Sequence, residues 1–544
     1  MKNLVSLLTL ILLLAGCKSN SNKEDISTVE VDSITIGNAI KILASDDFQG
    51  RKPFTEGEEK TTAYLKEQFS KLGLEPGNGN SYFQEVPMVA ITGTPSEKMK
   101  ISGNGKNIEL QYFEDFVAVT RKTDSVVELK NSELVFAGYG IVAPEYGWND
   151  YKGIDWKGKT AVVLVNDPGF ESQDSTVFKG NTMTYYGRWT YKYEEAARQG
   201  AAGLLIIHDT KPASYGWNVV QSSWSGSKLS LESDAPKVDI RGWITQEATQ
   251  KIFEAAGMGD KNYKEMAMIK DFKPIPLDLN ISVSIHNKVK KDVSKNVVAL
   301  LPGTNRKDEY IIYSAHWDHL GIGRPVNGDS IYNGAVDNAS GVAGMLAIAE
   351  AFTKDKKPER SIIFLAVTGE EQGLLGSEYY ASHPIYLPKK TVANINMDAL
   401  SSPGPMRDLT VTGYGQSEMD EYAKDAADKQ GRYIIPDPVP EKGHFFRSDH
   451  FSFAKIGIPA LYASGAYEDF AHGKDFVKKM NDDYEENNYH QPSDEYDSNT
   501  TVLSGMQFDS QLLYNIGKRL SNEDYFPKWY DDSEFKAARD LDKN

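Results

Sequence analysis

The amino-acid sequence predicts an α/β protein with a mixed, largely parallel sheet flanked by helices. From Asn296 onward, apolar runs alternate with segments of helical periodicity, as expected for strands and helices in turn. These runs are continuously apolar, which is typical of parallel strands that are buried on both faces. Between about residues 112 and 286, shorter strand-like runs occur among many Tyr, Trp and Gly residues. This stretch predicts an inserted, β-rich α/β unit.

Two helices are predicted at the start of the globular part of the chain. Ile36, Ile40 and Leu43 recur at helical spacing. Residues 58–72 form an amphipathic pattern that ends before Gly73. In the inserted stretch, strands are predicted at 134–137, 161–165 and 203–207, with a helix at 193–200.

The C-terminal part of the chain supplies the strands of the main sheet. The predicted strands are the apolar runs 297–301, 310–315, 362–367, 392–397 and 458–463. Helices are predicted over the Ala-rich residues 342–352 and over residues 418–429. The alternation of strand and helix predicts crossover connections within one sheet.

The chain has 544 residues, which at about 150 residues per domain suggests three or four domain-sized units. We predict a signal peptide (1–16), a linker (18–33), a main domain in two parts (34–115 and 293–521), an inserted domain (116–292) and a C-terminal tail (522–544). The hydrophobic fraction of 40% is large enough for several cores and excludes global disorder.

The N-terminus predicts export. Lys2 is followed by the apolar run 4–14, which is too short to span a bilayer but fits the core of a signal peptide. Leu14-Ala15-Gly16-Cys17 resembles a bacterial lipobox, in which the cysteine becomes the lipidated first residue. We therefore expect an exported, membrane-anchored lipoprotein of the cell envelope, which contacts the membrane through its lipid alone. Cys17 is the only cysteine, so an intrachain disulfide is excluded.

The charge balance limits the partners of the protein. The 60 Lys and Arg residues against 77 Asp and Glu residues give a net charge of −17. An acidic surface argues against nucleic-acid binding, which needs basic groups to neutralise phosphates. It also argues against a polybasic membrane-surface protein. The sequence does not determine the oligomeric state.

Side chains that can bind a metal follow the predicted strands at the point where each strand ends. They are His316 and Asp318 after 310–315, Asp337 in the loop beyond, Glu370 and Glu371 after 362–367, and Asp398 after 392–397. Ligands of open α/β sheets bind at the carboxyl ends of the strands. Converging carboxylates repel one another unless a cation lies between them. Mixed imidazole and carboxylate donors suit zinc, with manganese or cobalt as chemical alternatives.

Two spacings predict roles within this set. Asp318 lies two residues after His316, so on a strand both side chains face the same side. We expect the Asp318 carboxylate to accept the second N–H of the His316 imidazole. The adjacent Glu370 and Glu371 cannot point the same way, which predicts one metal ligand and one general base.

Several motifs resemble the zinc peptidase family of secreted bacterial leucine aminopeptidases and glutamate carboxypeptidase II. The motifs are residues 315–318 (AHWD), 334–341 (GAVDNASG), 368–377 (TGEEQGLLGS), 396–398 (NMD), 448–450 (SDH), 457–460 (GIPA) and 489–494 (YHQPSD). Their order and spacing match the family over about residues 34–112 and 296–520. Together the motifs are highly specific, although none is specific alone.

The resemblance implies a zinc-peptidase fold with two Zn²⁺ ions per chain. Asp337 would bridge the two ions, and Glu370 would be the general base. The other ligands would be His316 and Asp398 for one ion, and Glu371 and His490 for the other. The family often has a cis peptide bond after the bridging aspartate, which would join Asp337 to Asn338 here.

Outside the metal ligands, the resemblance makes weaker predictions about substrate binding. The inserted stretch resembles a protease-associated domain, from which Arg188 would either clamp a substrate carboxylate or stack on an aromatic side chain. A tyrosine that family members often carry before Ser-Asp-His is absent here, where residues 444–447 read HFFR. His444 is therefore a candidate donor to the oxyanion. The sequence does not place Arg324, Arg407 or Arg447 relative to the metals.

The predicted activity is that of a zinc exopeptidase that hydrolyses peptide substrates, with aminopeptidase as the leading hypothesis. A carboxypeptidase is the first alternative, and it would need Arg or Lys to bind a terminal carboxylate. A glutaminyl cyclase is similar in fold but usually has one zinc ion. A receptor-like module without catalysis is a further alternative, but all five metal ligands and the base are present here.

Overall fold

The computed structural model describes residues 29–400 and 403–541 of the chain. The predicted signal peptide, Cys17 and most of the predicted linker lie outside the described residues. Within the described part, none of the helices combines the length and apolar character needed to cross a membrane.

The first segment places two helices beside the main sheet. It consists of α1 (Ser33–Leu43), a 3-10 helix (Asp46–Arg51), α2 (Glu56–Lys71), β1 (Glu75–Pro76) and β2 (Phe83–Pro95). Asp32 caps α1 by accepting a hydrogen bond from the Ile34 amide. The apolar positions at helical spacing, Ile36, Ile40 and Leu43, are buried as the sequence predicts. The second helix starts two residues before its predicted position and ends one residue earlier.

The inserted unit is a β-rich α/β structure. Its strands are β3 (Lys98–Gly103), β4 (Lys106–Gln111), β5 (Phe116–Val119), β6 (Val126–Phe136), β7 (Val142–Ala143), β8 (Trp148–Asn149), β9 (Thr160–Leu164), β10 (Gly203–Ile207), β11 (Ser227–Leu231), β12 (Ile240–Ile244) and β13 (Ile275–Leu301). Its helices are α3 (Pro168–Ser172), α4 (Trp189–Arg198), α5 (Thr210–Ala213), α6 (Trp217–Ser223), α7 (Gln246–Ala255) and α8 (Tyr263–Ala267), with 3-10 helices at Pro144–Tyr146 and Tyr185–Gly187.

The centre of the inserted unit is a short parallel sheet. Strands β6, β9, β10 and β12 are parallel neighbours, and β5 pairs with β12 in the antiparallel direction. Strands β9, β10 and β12 are buried at every position, so apolar cores lie on both faces. This burial explains why their sequences read as continuous apolar runs.

A long ribbon joins the inserted unit to the main sheet. β13 pairs with β2 in the antiparallel direction from Ile285 opposite Pro95 to Val297 opposite Phe83. Its first part also pairs with β3 and β6 of the inserted unit, and its last part pairs with β17 of the main sheet. The domain boundary predicted at residue 293 falls inside this strand.

The C-terminal segment completes the main sheet. Its strands are β14 (Arg306–His316), β15 (Gly321–Val326), β16 (Asp329–Tyr332), β17 (Arg360–Val367), β18 (Thr391–Asn396), β19 (Asp408–Thr412), β20 (Tyr433–Pro436) and β21 (Ala460–Ser464). Its helices are α9 (Gly341–Lys354), α10 (Leu375–Ser382), α11 (Met419–Lys429), α12 (His450–Lys455), α13 (Gly473–Asn487), α14 (Leu503–Asn522) and α15 (Lys536–Leu541). Shorter helical turns lie at Ala335–Ser340, Glu370–Gln372, Pro388–Lys390, Pro440–Lys442 and His444–Phe446.

The main sheet is mixed and largely parallel, as predicted. Its strand order is β13, β17, β14, β18, β21, β19, β20. The four neighbours β17, β14, β18 and β21 are parallel, and β19 is antiparallel to β21. Helices α1, α9 and α14 pack together over the larger apolar core, and α10 and α12 contact each other at the other side. His316 at the end of β14 lies opposite Val367 at the end of β17. The loops that follow the central strands therefore meet at one edge of the sheet.

Candidate metal centre

The predicted metal ligands meet at the carboxyl ends of the central strands. His316 is the last residue of β14, and Asp398 follows β18 by two residues. Glu370 and Glu371 begin the short helical turn after β17, and Asp337 lies in the turn that leads into α9. The aligned ends of three parallel strands thus bring residues from distant parts of the sequence to one place.

One half of the cluster is formed by His316, Asp337 and Asp398. The Nε2 atom of His316 is 3.2 Å from Oδ1 of Asp398 and 3.3 Å from Oδ1 of Asp337. The donor atoms of these three residues lie within 4.8 Å of one another, which is close enough to hold one metal ion. Their side chains are 1%, 8% and 13% exposed, in chain order, so the donors are shielded from water.

Asp337 also faces the second half of the cluster. Its other oxygen, Oδ2, is 3.3 Å from Nε2 of His490, and that nitrogen is 3.2 Å from Oε2 of Glu371. The two oxygens of one carboxylate therefore belong to two different donor sets. A carboxylate in this position can bridge a pair of metal ions, as the resemblance implies for Asp337.

A second histidine lies beside Glu371. The Nδ1 atom of His319 is 2.6 Å from Oε1 of Glu371, and His319, Asp337 and Glu371 form a further group with donor atoms within 4.8 Å. The rings of His319 and His490 are 5.8 Å apart between centroids. Sequence reasoning missed His319 as a ligand candidate, although the sequence His316-Trp317-Asp318-His319 contains the signal.

Glu370 lies near the cluster without belonging to either donor group. Its Oε2 atom is 3.9 Å from Nε2 of His316, and its side chain is 12% exposed. Its backbone amide donates a 3.0 Å hydrogen bond to Oδ1 of Asp318, which fixes the start of the turn. A carboxylate that adjoins the donor sets and also lines the neighbouring cavity can exchange a proton with a molecule bound there.

The electrostatics of the cluster indicate a shortage of positive charge. Burial raises the pKa of Glu370, and the nearby Asp398 and Glu371 raise it further, so that it lies well above the usual value despite the attraction of His316. Burial raises the pKa of Asp318 to about 7. These carboxylates cannot all be ionised at neutral pH unless further positive charge enters the cluster. The donor set therefore fits cations, and its imidazole and carboxylate chemistry suits zinc.

Asn338 fixes the position of the shared carboxylate. The peptide bond between Asp337 and Asn338 is cis, in agreement with the expectation from the resemblance. The Asn338 side chain donates to the carbonyl of Met397 at 3.0 Å and accepts from the amides of Gly341 and Ala399 at 3.0 and 3.1 Å. It thereby joins the Asp337 turn to the loop that carries the ligand after β18.

Two further residues position the Asp337 turn, and sequence reasoning missed both. The Asp494 carboxylate accepts hydrogen bonds from the amides of Val336 and Asp337 at 3.0 and 3.1 Å. The buried Arg51 donates to backbone carbonyls of the loops after β14 and before Asp337, and to one in α1: Trp317, Asn333, Gly334 and Leu43. A single arginine in a sequence does not indicate which distant backbone carbonyls its side chain will bind. The motif at residues 489–494 does contain Asp494.

The structure corrects the predicted contact between His316 and Asp318. The Nδ1 atom of His316 is 3.1 Å from the backbone carbonyl of Asp318 but 3.9 Å from its carboxylate. The prediction of a carboxylate contact assumed that both residues lie on a strand. Because β14 ends at His316, the alternation of side chains no longer applies, and the Asp318 carboxylate turns toward the amide of Glu370.

This geometry agrees with the comparison with known families. Residues 296–508 match the model described as Peptidase family M28. These residues, which are less than half of the chain, are similar to peptidase family M28. All the candidate ligands lie within these residues, which we call the M28 segment.

Curated relatives match a short part of the chain. The mouse protein "Aminopeptidase NAALADL1" is 37% identical over 129 residues, which are 23% of this chain and 16% of that protein. A "Probable zinc metalloprotease" of Pyrenophora teres f. teres is 38% identical over 106 residues, which are 20% of this chain and 22% of that protein. The matched regions thus span less than a quarter of the length of either relative.

A solved structure shares the fold over most of the chain. The aminopeptidase from Aneurinibacillus sp. strain AM-1 superposes with a TM-score of 0.50 and is 21% identical. The superposition covers 91% of this chain and 96% of that chain, so it includes the inserted unit as well as the M28 segment. At 21% sequence identity, this structural similarity establishes the fold and nothing further.

A cavity of about 430 Å³ lies between the inserted unit and the M28 segment. Glu370, Glu371 and His490 of the cluster line one part of it. Arg188 of the inserted unit also lines it, with the guanidinium carbon 5.4 Å from the centroid of the Trp189 ring. The two roles considered for Arg188 are therefore compatible, because the side chain stacks on an aromatic ring and faces the cavity beside the cluster.

The structure does not bring His444 to the cluster. Its Nδ1 atom is 3.1 Å from Oδ2 of Asp437, its side chain is 39% exposed, and it is absent from the lining of the cavity. The short helical turn at His444–Phe446 directs Phe446 toward the cavity instead. The arrangement therefore does not support His444 as the oxyanion donor.

Proposed function

We propose that the protein is a zinc-dependent exopeptidase, and specifically an aminopeptidase that releases N-terminal residues from peptides. The observation that carries the proposal is the shared carboxylate of Asp337, whose two oxygens face two separate donor sets at 3.3 Å from His316 and His490. The M28 match and the relatives named as an aminopeptidase and a zinc metalloprotease support it.

Eight residues have distinct roles in this proposal. His316, Asp337 and Asp398 would hold one zinc ion, and Asp337, Glu371 and His490 would hold the other, with His319 orienting Glu371. Bound zinc ions polarise a scissile carbonyl and lower the pKa of an attacking water. The Glu370 carboxylate would accept a proton from the attacking water and deliver it to the leaving amine. Ser448 orients Asp398 by donating a 2.5 Å hydrogen bond to its Oδ2 atom.

The cavity supports an exopeptidase. Glu370 lies at its wall, and the inserted unit covers the opposite side. A space of about 430 Å³ accommodates a small ligand or a short peptide end rather than a long extended chain. The proposal therefore places the scissile bond close to one end of the substrate.

The test is a substrate panel with the zinc-loaded protein. Aminoacyl anilides and peptides with a free N-terminus should be cleaved, N-acetylated versions should not, and a chelator should abolish the turnover. Cleavage of N-acetylated peptides at the C-terminus would instead assign a carboxypeptidase. Cyclisation of N-terminal glutamine without hydrolysis would assign a glutaminyl cyclase. A folded protein that takes up no zinc and shows no turnover would favour a receptor-like module.

We also propose that the protein is a lipoprotein of the cell envelope and that residues 116–292 are a protease-associated domain. The support is the Leu-Ala-Gly-Cys sequence that ends at Cys17 and the β-rich composition of the insertion. Replacement Cys17→Ser should release the protein from membrane fractions, and unchanged membrane association would contradict the lipid anchor.

A further inference from the structure

The last described part of the chain, residues 523–541, contacts both the M28 segment and the inserted unit. We call these residues the C-terminal segment. It follows α14 and lies outside the residues that match the family model. Two of its aromatic side chains, Trp529 and Phe535, are 4% and 3% exposed. Because it buries large apolar side chains, the C-terminal segment is part of the folded core.

The C-terminal segment is attached to the M28 domain at two points. Residues 528–530 pair with residues 416–418 in the antiparallel direction through backbone hydrogen bonds of 2.8 and 3.0 Å. The Trp529 indole donates a 2.9 Å hydrogen bond to the carbonyl of Gly457, in the loop after α12. Further along, Arg539 of α15 donates to two backbone carbonyls beside the start of β18 at 2.7 and 2.9 Å. The residues between these two points are therefore held on both sides.

Glu534 lies between the two points and contacts the inserted unit. Its side chain is 2% exposed. Its Oε1 atom accepts a 3.2 Å hydrogen bond from the backbone amide of Tyr185, and its Oε2 atom is 3.5 Å from Nζ of Lys179. A buried carboxylate that loses such partners is costly, because its charge is then neither hydrated nor paired. The contact therefore holds the 3-10 turn Tyr185–Gly187 on the C-terminal segment.

Phe535 belongs to an apolar cluster to which three parts of the chain contribute. The centroid of its ring is 5.6 Å from that of Phe445 and 6.2 Å from that of Phe451, and the rings of Phe451 and Tyr185 are 5.3 Å apart. Met183 of the inserted unit is buried in the same cluster. Aromatic pairs at these distances attract one another beyond the effect of their buried area. Phe535 thus helps to pack the inserted unit on the M28 segment.

The turn that Glu534 holds leads directly into the wall of the cavity. Arg188 and Trp189 follow Tyr185–Gly187 and line the cavity together with Glu370. The described residues that line the cavity include none of the C-terminal segment, so Glu534 acts on the wall through the turn. Two units joined by a connecting ribbon move relative to each other unless the interface between them is large and apolar. The contacts of this turn therefore oppose movement of the wall away from the cluster.

We infer that Glu534 and Phe535 are positioning residues that hold the wall of the cavity in place and thereby restrict the substrates to short peptides. This inference rests on the proposed function and adds a limit on substrate length to it. A cavity of about 430 Å³ holds a short peptide, so a longer peptide must bind a form in which the wall has moved outward. The apparent affinity for a long peptide is then reduced by the small fraction of protein in that open form.

The experiment compares two peptides that share one scissile bond in the zinc-loaded protein. They are Leu-Gly-Gly and the octapeptide Leu-Gly-Gly-Ser-Gly-Ser-Gly-Ser. In the unmodified protein, KM should be about 10-fold or more higher for the octapeptide, because only the open form binds it. Glu534→Ala removes a hydrogen bond to a charged group, which should favour the open form by about 10-fold. The KM of the octapeptide should fall by the same factor, while kcat and the tripeptide KM should not fall.

Three further variants show whether the effect belongs to this contact. Glu534→Gln keeps an acceptor for the Tyr185 amide and should retain most of the KM ratio of the unmodified protein. Phe535→Leu, a smaller change in the apolar cluster, should lower the octapeptide KM as Glu534→Ala does. Asp532→Ala, at an exposed position of the same segment, should leave the ratio unchanged. A loss of folded protein alone would lower kcat for both peptides and leave both KM values unchanged.

Hydrogen exchange separates this inference from the proposed function, because it needs no turnover. The amides of residues 179–189 should exchange faster in Glu534→Ala than in the unmodified protein or in Asp532→Ala. An unchanged KM ratio in folded Glu534→Ala, or equal KM values for both peptides in the unmodified protein, would overturn the inference and leave the exopeptidase intact. If neither peptide is cleaved, the proposed function fails and hydrogen exchange decides. Faster exchange then supports the holding of the turn by Glu534, and unchanged exchange overturns it.

Discussion

The carboxylate cluster and the arginine-lined cavity are neighbours with opposite imbalances of charge. In the cluster, Asp337 is shared by two donor sets, and Glu370 is surrounded by other carboxylates. Across the cavity, Arg188 and Arg447 face each other without a counter-ion among the described residues. The cluster lacks positive charge, which bound cations would supply, whereas the guanidiniums in the cavity wall lack ion pairs within the described part of the chain.

The two regions also differ in how firmly the fold holds them. The turn that carries Asp337 is fixed by Asn338, Asp494 and the four carbonyl contacts of Arg51. Arg188 has an aromatic neighbour and free donors instead. A metal site requires ligands that the fold holds in place, whereas a side chain in a substrate site can obtain its hydrogen-bond partners from the bound substrate.

The largest expected effect is that of Asp337→Asn. The substitution keeps the size of the side chain but removes the charge that both donor sets share, so both zinc ions and all zinc-dependent turnover should be lost. Zinc per chain, measured by mass spectrometry after dialysis, checks this result. Asp260→Asn, at an exposed position, is the matched control and should retain the wild-type zinc content. Retention of two ions in Asp337→Asn would refute the bridging role.

Glu370→Gln should separate catalysis from metal binding. Because Glu370 lies outside both donor groups, the zinc content should not change, while kcat should fall by about 10²- to 10⁴-fold through loss of the general base. Steady-state kinetics alongside zinc analysis measure both quantities, with the exposed Glu85→Gln as control. Wild-type turnover in Glu370→Gln would remove Glu370 from this role.

A pair of arginine substitutions compares the Asp337 turn, which the fold holds in place, with the wall of the cavity. Arg51→Met leaves four buried carbonyls without their donor and should lower the free energy of unfolding by about 3 kcal/mol or more. Arg188→Met removes a repelled cation and should change the free energy of unfolding by less than about 0.5 kcal/mol without substrate. Urea denaturation of both variants measures the difference. Equal losses of stability would mean that Arg188 is a structural residue.

The last prediction concerns the pH dependence of stability and a buried group that the fold keeps neutral. Burial lowers the pKa of His450 to about 3, against about 6.5 in an unfolded chain. Its contribution to stability is complete above pH 6.5 and is lost as the pH falls from 6.5 toward 3, by at most about 1.4 kcal/mol per pH unit. His450→Phe should flatten the pH dependence of unfolding of chelated protein over this interval. An unchanged slope would show that His450 is charged in the folded state.

The sequence predicted the part of the site that depends on local pattern. Continuous apolar runs marked the central strands, and polar residues directly after them became His316, Glu371 and Asp398 of the cluster. Parallel strands end at one edge of a sheet, so the positions after the runs were enough to bring these residues together. The mixed, largely parallel sheet was predicted for the same reason.

The cavity depends on tertiary contacts that a local pattern does not contain. Arg188 and Arg241 lie in the inserted unit, and Arg447 lies more than 200 residues further along the chain. Their proximity depends on how the β2 and β13 ribbon places the insertion against the M28 segment. The Asp318 contact was mispredicted because β14 ends at His316, so the side-chain alternation of a strand does not extend to Asp318. The periodicity of the sequence does not show at which residue a strand ends.

Titration of the metal-free protein with zinc, followed by calorimetry and by peptide turnover in parallel, tests the central claim most directly. The arrangement of Asp337 between two donor sets predicts that two zinc ions bind per chain and that turnover appears as they bind. A folded protein that binds one ion or none, or that cleaves peptides equally well without zinc, would contradict this account of the site.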